Sequence, residues 1–279
     1  MKFRPKSLND TRDPLKGNVN ISPEHPLKEL LLLTSGIAAT IFIIYLLLGV
    51  AVDLVVPHIS KELEQSIAAR MEFPVVEDKR TPYLEVLTDE LRRSAPLDPG
   101  PIVVGVYPSA MANAFALPGG RMLITEGFLD EVESENELAM VISHELGHIA
   151  HRDPLRVMGR SLVLAFISSL FVNTDDSAGA FINSSMTLTQ LGYSRNIEER
   201  CDHFALETIS RHYGHGGGAV DFFKRMKDSH TGGSVPQFLS THPGDERRIS
   251  YLERQIDEER LGWGELTPLP EGWVNQDDE

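Results

Sequence analysis

Two histidines separated by three residues are the first candidates for chemistry in this sequence. Residues 144–148 read HELGH, in a stretch whose apolar residues recur at helical spacing. Positions i and i+4 of a helix lie on one face, so His144 and His148 can bind one metal ion. Glu145 lies beside that face, where it can take a proton from a water molecule on the metal. The spacing predicts hydrolysis by activated water, with two packed or surface histidines as the alternative.

The flanking residues predict the helix that must hold these side chains. Ser134 and Glu137 form a capping-box pattern at its start, and Pro154 is the first proline after it. The expected buried stripe comprises Leu138, Val141, Ile142, Leu146 and Ile149. Both histidines would then project from a helix that packs inside the domain.

A third metal ligand must come from elsewhere in the chain. In one class of zinc peptidases the pattern continues as H-E-x-x-H-x-x-G-x-x-H, and its last histidine is the third ligand. This sequence does not match that pattern, because His151 stands in place of the Gly and Pro154 in place of the last His. A later helix can supply a carboxylate instead. We expect Glu198 to bind the metal and Asp202, one turn on, to accept a hydrogen bond from the far nitrogen of a ligand histidine. An ordinary charged helix face, or binding through Glu199 or Asp202, are the alternatives.

Four separated segments carry motifs of one known family. They are residues 113–120 (NAFALPGG), HELGH with residues 149–152 (IAHR), residues 194–202 (SRNIEERCD), and residues 240–243 (STHP) with 248–249 (RI). In order and spacing they resemble the membrane-associated gluzincin metallopeptidases, which include HtpX, the CAAX prenyl endopeptidases and the mitochondrial Oma-type proteases. The resemblance covers roughly residues 80–255. Cys201 stands where the family usually shows Ala, a replacement that a small buried thiol can make without touching the metal.

The resemblance implies roles that the spacing does not assign. In the family, the segment similar to 113–120 is an edge strand on which an extended peptide lies through main-chain hydrogen bonds. The residues that this implies in substrate binding are Asn113, Ala114, Phe115 and Ala116. A plain β-hairpin with its turn at 118–120 is the compatible local interpretation. His242 and Arg248 resemble family residues that approach the metal and stabilise the oxyanion or substrate carbonyl, although His242 before a proline can also be a turn residue.

A charge-free stretch near the N-terminus predicts a membrane span. As a helix, residues 30–52 measure about 35 Å, enough to cross a bilayer. The flanking charges are Lys2, Arg4, Lys6, Arg12, Lys16 and Lys28 before the stretch, and Lys61 and Arg70 after it. This bias places the N-terminus in the cytoplasm. We expect an uncleaved signal anchor in the inner (cell) membrane with a periplasmic catalytic domain; a signal peptide cleaved near 49–51 is the alternative.

A second apolar stretch, residues 162–172, is too short to span a bilayer. We expect it to be a buried helix beside the catalytic helix. The alternative is a hydrophobic patch that touches the membrane surface or receives unfolded clients.

Composition excludes other classes of function. With 41 acidic and 26 basic residues the net charge is −15, and no basic patch suggests nucleic-acid binding. Cys201 is the only cysteine, so no intrachain disulfide can form. A nucleophilic Cys201 is disfavoured because neighbouring acids raise the pKa of a thiol. Residues 262–279 are acidic and rich in Pro and Gly, which predicts a loose tail.

Together these features predict an α+β protein, a mainly helical zincin-type metallopeptidase domain with a small β-sheet, preceded by one transmembrane helix. The expected segments are a cytoplasmic basic tail (1–29), the transmembrane anchor (30–52), the metallopeptidase domain (55–261) and the acidic tail (262–279). By resemblance, the chain would use one Zn²⁺ ion to hydrolyse misfolded or damaged membrane or periplasmic proteins. A chaperone-like protein or assembly factor with a latent or regulatory zinc site is the alternative. A separate hypothesis is that His242 or residues 175–180 cover the metal in a resting state.

Overall fold

The computed structural model describes residues 26–169, 193–228, 238, 241–242 and 246–273. Residues 1–25, 175–180 and 170–172 therefore lie outside the described residues, as do 274–279 of the predicted tail. The chain divides into two units, residues 1–47 and 48–279. Helix α1 (Pro26–Val55) has residues in both units, and the most apolar 18-residue window within Leu27–His58 has a mean hydropathy of 2.6. The predicted N-terminal helix, apolar and long enough to cross a membrane, is confirmed.

The second unit is mainly helical with one small sheet, as the sequence predicted. After a 3₁₀ turn (Val56–His58), its elements are α2 (Lys61–Ala68), α3 (Thr81–Ser94), β1 (Val103–Tyr107), β2 (Ala114–Leu117), β3 (Arg121–Thr125), α4 (Glu126–Glu131), α5 (Glu135–Ala150), α6 (Asp153–Ser169), α7 (Arg195–Tyr213), α8 (Asp221–Asp228) and α9 (Glu246–Glu258). Helix α5 packs most extensively against α7, and it also contacts α3 and β2. This packing places the HELGH sequence at the centre of the domain.

The sheet has the strand order β1–β3–β2, with β1 parallel and β2 antiparallel to β3. The predicted hairpin is confirmed, and β2 is an edge strand of this sheet. Gly119 and Gly120 have φ values of +79° and +74°, a left-handed conformation that other residues adopt at a cost. A Cβ on Gly119 would also lie 2.5 Å from the Cβ of Ala68. The turn therefore needs glycine both for its backbone and for its contact with α2.

Helix α5 is buried on all sides, since residues 136–149 are all buried. Its first turn is capped as predicted: Ser134 Oγ accepts a hydrogen bond from Glu137 N at 3.2 Å. A capping box would pair the Glu137 carboxylate with Ser134 N. The carboxylate instead accepts a hydrogen bond from Glu133 N, one residue earlier, at 3.1 Å. A helix enclosed in this way holds its polar side chains in the domain interior. Its histidines and glutamate therefore need partners there.

The first part of the predicted loose tail is packed against the domain. Trp273 is only 5% exposed, and its Nε1 donates a hydrogen bond to Leu129 O at 2.7 Å. Thr267 N donates to Asn136 Oδ1 at 2.7 Å, and Thr267 O accepts from Glu135 N at 3.0 Å. The expectation of a loose segment is therefore wrong for residues 262–273. The buried indole and its hydrogen bond anchor this segment to α4.

Helix α6 is also less buried than predicted. Leu155 and Met158 are buried with Val56 and Met71 in a small cluster apart from the main core. Further along, Leu164 is 48% exposed and Phe166 is 60% exposed. The predicted stretch 162–172 is thus helical as far as it is described, but none of its side chains from Leu162 to Ile167 is buried, so the prediction of a buried helix is wrong for these residues.

Candidate active site

Four side chains from three parts of the chain converge in the interior of the second unit. They belong to His144, His148, Glu198 and His242, and all four are buried. One nitrogen or carboxylate oxygen of each lies within 4.8 Å of the other three. His144 Nε2 is 3.1 Å from His148 Nε2 and 3.3 Å from Glu198 Oε2. The structure thus brings the three sequence-predicted metal ligands together and adds a fourth donor group.

The packing of two helices produces this convergence. His144 and His148 lie one turn apart on α5, and Glu198 lies in the first turn of α7. A Cβ on Gly147 would lie 3.3 Å from the Cα of Cys201 and 3.3 Å from the ring of Phe204. Glycine at this place in HELGH therefore allows α7 to approach α5 closely enough to deliver Glu198.

The donor set fits a zinc ion. Two imidazoles and a carboxylate are the ligands of many catalytic zinc sites, with Zn–N and Zn–O distances near 2.0–2.2 Å. Both carboxylate oxygens of Glu145 are buried and have no hydrogen-bond partner among the described residues. A buried carboxylate without a partner is costly, which points to a polar ligand beside it. Metal and water at this position would meet that need.

Asp202 and Arg248 contact two of the predicted metal ligands, His144 and Glu198. Asp202 Oδ1 lies 3.0 Å from His144 Nδ1, and Arg248 donates to the Asp202 carboxylate through Nε (2.7 Å) and Nη2 (2.6 Å). Arg248 Nη1 also lies 3.1 Å from Glu198 Oε2. Burial alone would raise the pKa of Asp202, but Arg248 and the hydrogen bond to His144 hold it below its ordinary value. Asp202 occupies the place expected of it, whereas the buried, engaged Arg248 is better suited to orienting ligands than to contacting substrate.

The two histidines on α5 have different electrostatic surroundings. Burial lowers the pKa of His144, but Asp202 and Glu198 outweigh it and raise that pKa to about 9. At His148 burial dominates over its contact with Asp153, so the pKa falls below its ordinary value. Burial raises the pKa of Glu198, yet the charges of His242 and His144 bring it far below its usual range. Without metal, these surroundings favour the protonated, imidazolium form of His144 and the neutral form of His148.

His242 lies close to both the ligands and Glu145. Its Nδ1 is 3.3 Å from Glu198 Oε1 and 3.3 Å from His144 Nε2. Its Nε2 is 3.5 Å from Glu145 Oε1, and its ring stacks against Phe238 with the centroids 4.7 Å apart. The structure therefore places His242 in the site itself, as the resemblance implied.

Two further residues contact His148, and the sequence did not single them out. Asp153 Oδ2 lies 3.1 Å from His148 Nδ1, and Arg200 Nη2 donates to both oxygens of Asp153 at 2.8 and 2.6 Å. The ring of Tyr193 stacks on His148 with a centroid separation of 3.9 Å and an angle of 20°. Helical spacing gave no signal for the contact of Asp153, because Arg152 between the two helices has a φ of +59°.

Cys201 contacts His148 but is not one of the predicted metal ligands. Its Sγ is 3.4 Å from His148 Nδ1, and it is fully buried. Burial and the charge of Asp153 raise the pKa of this thiol well above its ordinary value. This environment disfavours a nucleophilic cysteine.

The edge strand β2 offers part of its main chain for pairing. Asn113 O accepts from Thr125 N at 3.0 Å, which identifies this pair as hydrogen-bonded across the hairpin. Antiparallel pairs alternate, so Ala114 and Ala116 point their main-chain groups away from β3. Ala114 N donates to Asn113 Oδ1 at 2.9 Å, and no main-chain hydrogen bond from another described segment reaches Ala116. Both alanines are buried.

Comparison with known proteins agrees with this geometry. Residues 78–256 match the model of peptidase family M48. The sequence is 29% identical over 190 residues to the putative beta-barrel assembly-enhancing protease of Vibrio cholerae, covering 63% of this chain and 39% of that protein. It is 29% identical to the human mitochondrial metalloendopeptidase OMA1 (55% and 32%) and 27% identical to the Escherichia coli metalloprotease YcaL (56% and 63%). The matches span well under half the length of the first two relatives, and they support a metalloendopeptidase.

Proposed function

Because this chain belongs to peptidase family M48, we propose that it is a zinc-dependent endopeptidase that hydrolyses misfolded or damaged membrane or periplasmic proteins. One observation carries the proposal: His144, His148 and Glu198 converge beside the unpartnered carboxylate of Glu145. The three donors are the proposed metal ligands, for one zinc ion per chain. The relatives described above are all proteases, which supports the same class of activity.

Glu145 is the proposed general base and acid. A zinc ion at the three ligands would supply Lewis-acid activation of water and of the peptide carbonyl. Glu145 would take the proton from the attacking water and return it to the leaving amine. Its oxygens are free to do so because no other described residue hydrogen-bonds them. His242 Nε2, 3.5 Å from Glu145 Oε1, is the nearest candidate donor for the developing oxyanion.

The remaining site residues have supporting roles in this proposal. Asp202 would fix the orientation of His144, and Arg248 would hold Asp202 and Glu198 in place. In the predicted substrate-binding segment from Asn113 to Ala116, the main-chain groups of Ala114 and Ala116, which point away from β3, would pair with an extended substrate. Such pairing selects an unfolded conformation more than a side-chain sequence, which suits clients of protein quality control.

The membrane arrangement is part of the same proposal. Residues 30–52 of α1 would span the inner membrane, with the basic tail 1–29 in the cytoplasm and the domain 55–261 in the periplasm. Six basic residues precede the span, and this charge bias supports the orientation. The clients would then be proteins in, or next to, the same membrane.

The second candidate function is that of a chaperone or assembly factor in which the protease site is latent. Two observations favour it over a constitutively active enzyme. His242 Nδ1 lies among the predicted ligands, so a fourth protein group is available to complete a tetrahedral set without water. Ala114 and Ala116 are buried, so a peptide can reach the edge strand only after a change from this conformation.

The test of the proposed function uses the full chain in lipid nanodiscs, loaded with zinc, and unfolded casein as substrate. The variants are Glu145→Gln and, as the matched control, Glu131→Gln, an exposed glutamate on α4. We expect the wild type and the control to cleave casein and Glu145→Gln to be slower by about 10²–10⁴-fold. Equal cleavage by Glu145→Gln would exclude the proposed base.

The latent state is tested with the variant His242→Ala in the same assay. If His242 blocks the site, this variant cleaves casein faster than the wild type. If His242 stabilises the oxyanion, the variant is slower. No cleavage by any variant that carries one zinc per chain would favour the chaperone or assembly role.

A further inference from the structure

We propose that His148, Asp153 and Cys201 form a second metal site, which takes a thiophilic ion such as Cd²⁺ or Cu⁺ and competes with the proposed catalytic zinc. The three residues come from α5, α6 and α7, and all are buried. One donor atom of each lies within 4.8 Å of the other two. The inference rests on the proposed function in taking His148 Nε2 as a zinc ligand. It goes further by adding a second ion and a way in which that ion inhibits the enzyme.

The three donor atoms have the spacing of a metal site. His148 Nδ1 lies 3.1 Å from Asp153 Oδ2 and 3.4 Å from Cys201 Sγ, and Sγ lies 3.9 Å from the same oxygen. The circle through these three atoms has a radius of about 2.0 Å. For zinc, bonds to nitrogen and oxygen are about 2.0–2.2 Å long and bonds to sulfur about 2.3 Å. An ion slightly outside the plane of the three atoms would therefore lie at bonding distance from all of them.

The donor atoms of this site differ from those of the catalytic site. His144, His148 and Glu198 offer only nitrogen and oxygen to an ion between them. The second site adds the sulfur of Cys201, and a thiolate is a soft ligand that favours Cu⁺ and other thiophilic ions. A hard ion such as Mg²⁺ prefers oxygen ligands, of which Asp153 supplies the only one among the three residues. We therefore expect the second site to select thiophilic ions.

The two sites share one imidazole ring. His148 Nε2 faces His144 Nε2 at 3.1 Å in the catalytic set, whereas Nδ1 of the same ring faces Asp153 and Cys201. In a neutral imidazole one nitrogen carries a proton and only the other has a free lone pair. His148 can bind zinc through Nε2 while Nδ1–H donates to Asp153, or bind an ion through Nδ1, but a neutral ring cannot do both. An ion at the second site would therefore remove one ligand from the catalytic zinc.

Arg200 connects the second site to solvent. Its Nη2 donates to Oδ1 and Oδ2 of Asp153 at 2.8 and 2.6 Å, and its side chain is 41% exposed. The guanidinium can therefore turn into water when an ion takes its place beside the carboxylate. Its positive charge opposes a cation at Asp153, so Arg200→Gln should bind the ion about tenfold more tightly, or more.

The site is tested with cadmium, because a cadmium–thiolate bond produces an ultraviolet charge-transfer band and Cys201 is the only cysteine in the chain. The protein is the metal-free full chain in nanodiscs with His144→Ala, which removes a ligand of the catalytic site and none of the second. We expect the band to reach its maximum at one cadmium ion per chain. If His144→Ala does not fold, Glu198→Gln serves the same purpose.

The matched control adds Cys201→Ala to the same variant. We expect it to show no band and to bind cadmium more than about 100-fold more weakly, since the loss of an outer hydrogen bond alone costs about 10–100-fold. Thermal unfolding without metal shows whether each variant is folded. A folded His144→Ala or Glu198→Gln variant that binds cadmium without the band would overturn the second site. Arg200→Gln, added to the same variant, would contradict the site if it bound cadmium no more tightly.

The competition is tested in the zinc-loaded wild type. Cadmium is added in steps, unbound ions are removed, and the zinc that remains on the protein is measured by elemental analysis. We expect one zinc ion to be lost for each cadmium–thiolate bond that the band reports. Growth of the band while zinc stays bound would show that the ring of His148 bridges two ions, and the competition would be wrong. Neither measurement depends on proteolysis, so the casein assay separately decides whether the chain is an endopeptidase.

Discussion

Removing the carboxylate of Asp153 should weaken zinc binding without unfolding the protein. Asp153 is the acidic group that contacts the far nitrogen of His148, at 3.1 Å. A hydrogen bond to the second ring nitrogen of a metal-binding histidine fixes the orientation of the imidazole and raises its basicity. Loss of such a bond typically lowers metal affinity by about 10–100-fold. This range corresponds to about 1.4–2.8 kcal/mol of binding free energy.

The structure indicates where in this range each variant should fall. Asp153→Asn keeps an oxygen that can accept from His148 Nδ1 but loses the charge, and charge-assisted hydrogen bonds are roughly twice as strong as neutral ones. We therefore expect a loss of about tenfold for Asn and nearer 100-fold for Asp153→Ala. The stacked ring of Tyr193 still restrains His148 in both variants. Arg200, the other partner of Asp153, is 41% exposed and can be hydrated once the acid is gone.

The assay is a competition titration of the metal-free protein against a chelator of known zinc affinity. Asp257→Asn, an exposed acid on α9, is the matched control and should bind zinc like the wild type. Thermal unfolding without metal shows whether each variant is folded. Zinc affinity of Asp153→Ala within twofold of the wild type, in a folded protein, would refute the reasoning.

Two further predictions concern the other ligand histidine. Asp202→Ala should lower the free energy of unfolding by about 3–5 kcal/mol, because it leaves the buried charge of Arg248 without its main partner. Urea unfolding measures this free energy. A loss below about 1 kcal/mol would contradict the prediction. Zinc loading at about pH 7.5 should release about one proton, because the raised pKa of His144 (about 9) keeps it protonated in the metal-free site, whereas His148 is already neutral. Zinc affinity should accordingly rise with pH up to about 9 and level off above it. Titration calorimetry in buffers of different ionisation enthalpy gives the number of protons released per zinc ion bound. If no proton is released, His144 is neutral in the metal-free site and the prediction is wrong.

Much of the candidate site follows from local periodicity. The i, i+4 spacing of His144 and His148 is sufficient to place both imidazoles on one face of a capped helix. The same argument places Glu198 and Asp202 on one face of α7. Sequence spacing does not show that the two faces meet. The resemblance to a family supplied that step.

The contacts of His148 could not be predicted because they depend on irregular backbone. Asp153 returns to His148 only because Arg152 adopts a left-handed conformation after the end of α5. Tyr193 reaches the same ring from just before α7, and no periodic pattern extends there. Trp273 was missed for a related reason: its indole bonds to the main-chain oxygen of Leu129, a long-range contact that the sequence of the tail does not encode.

The unpaired main-chain groups of Ala116 on β2 have a consequence for sequence preference, once a substrate reaches this edge. In an antiparallel arrangement, a substrate residue opposite Ala116 must both donate an N–H and accept at its carbonyl. Proline has no N–H and therefore cannot complete that pair. A protease that tolerates almost any side chain would then still discriminate against one residue type at alternate positions. A library of cleaved peptides should show this as a gap, a position from which proline is missing, while no residue type is enriched there.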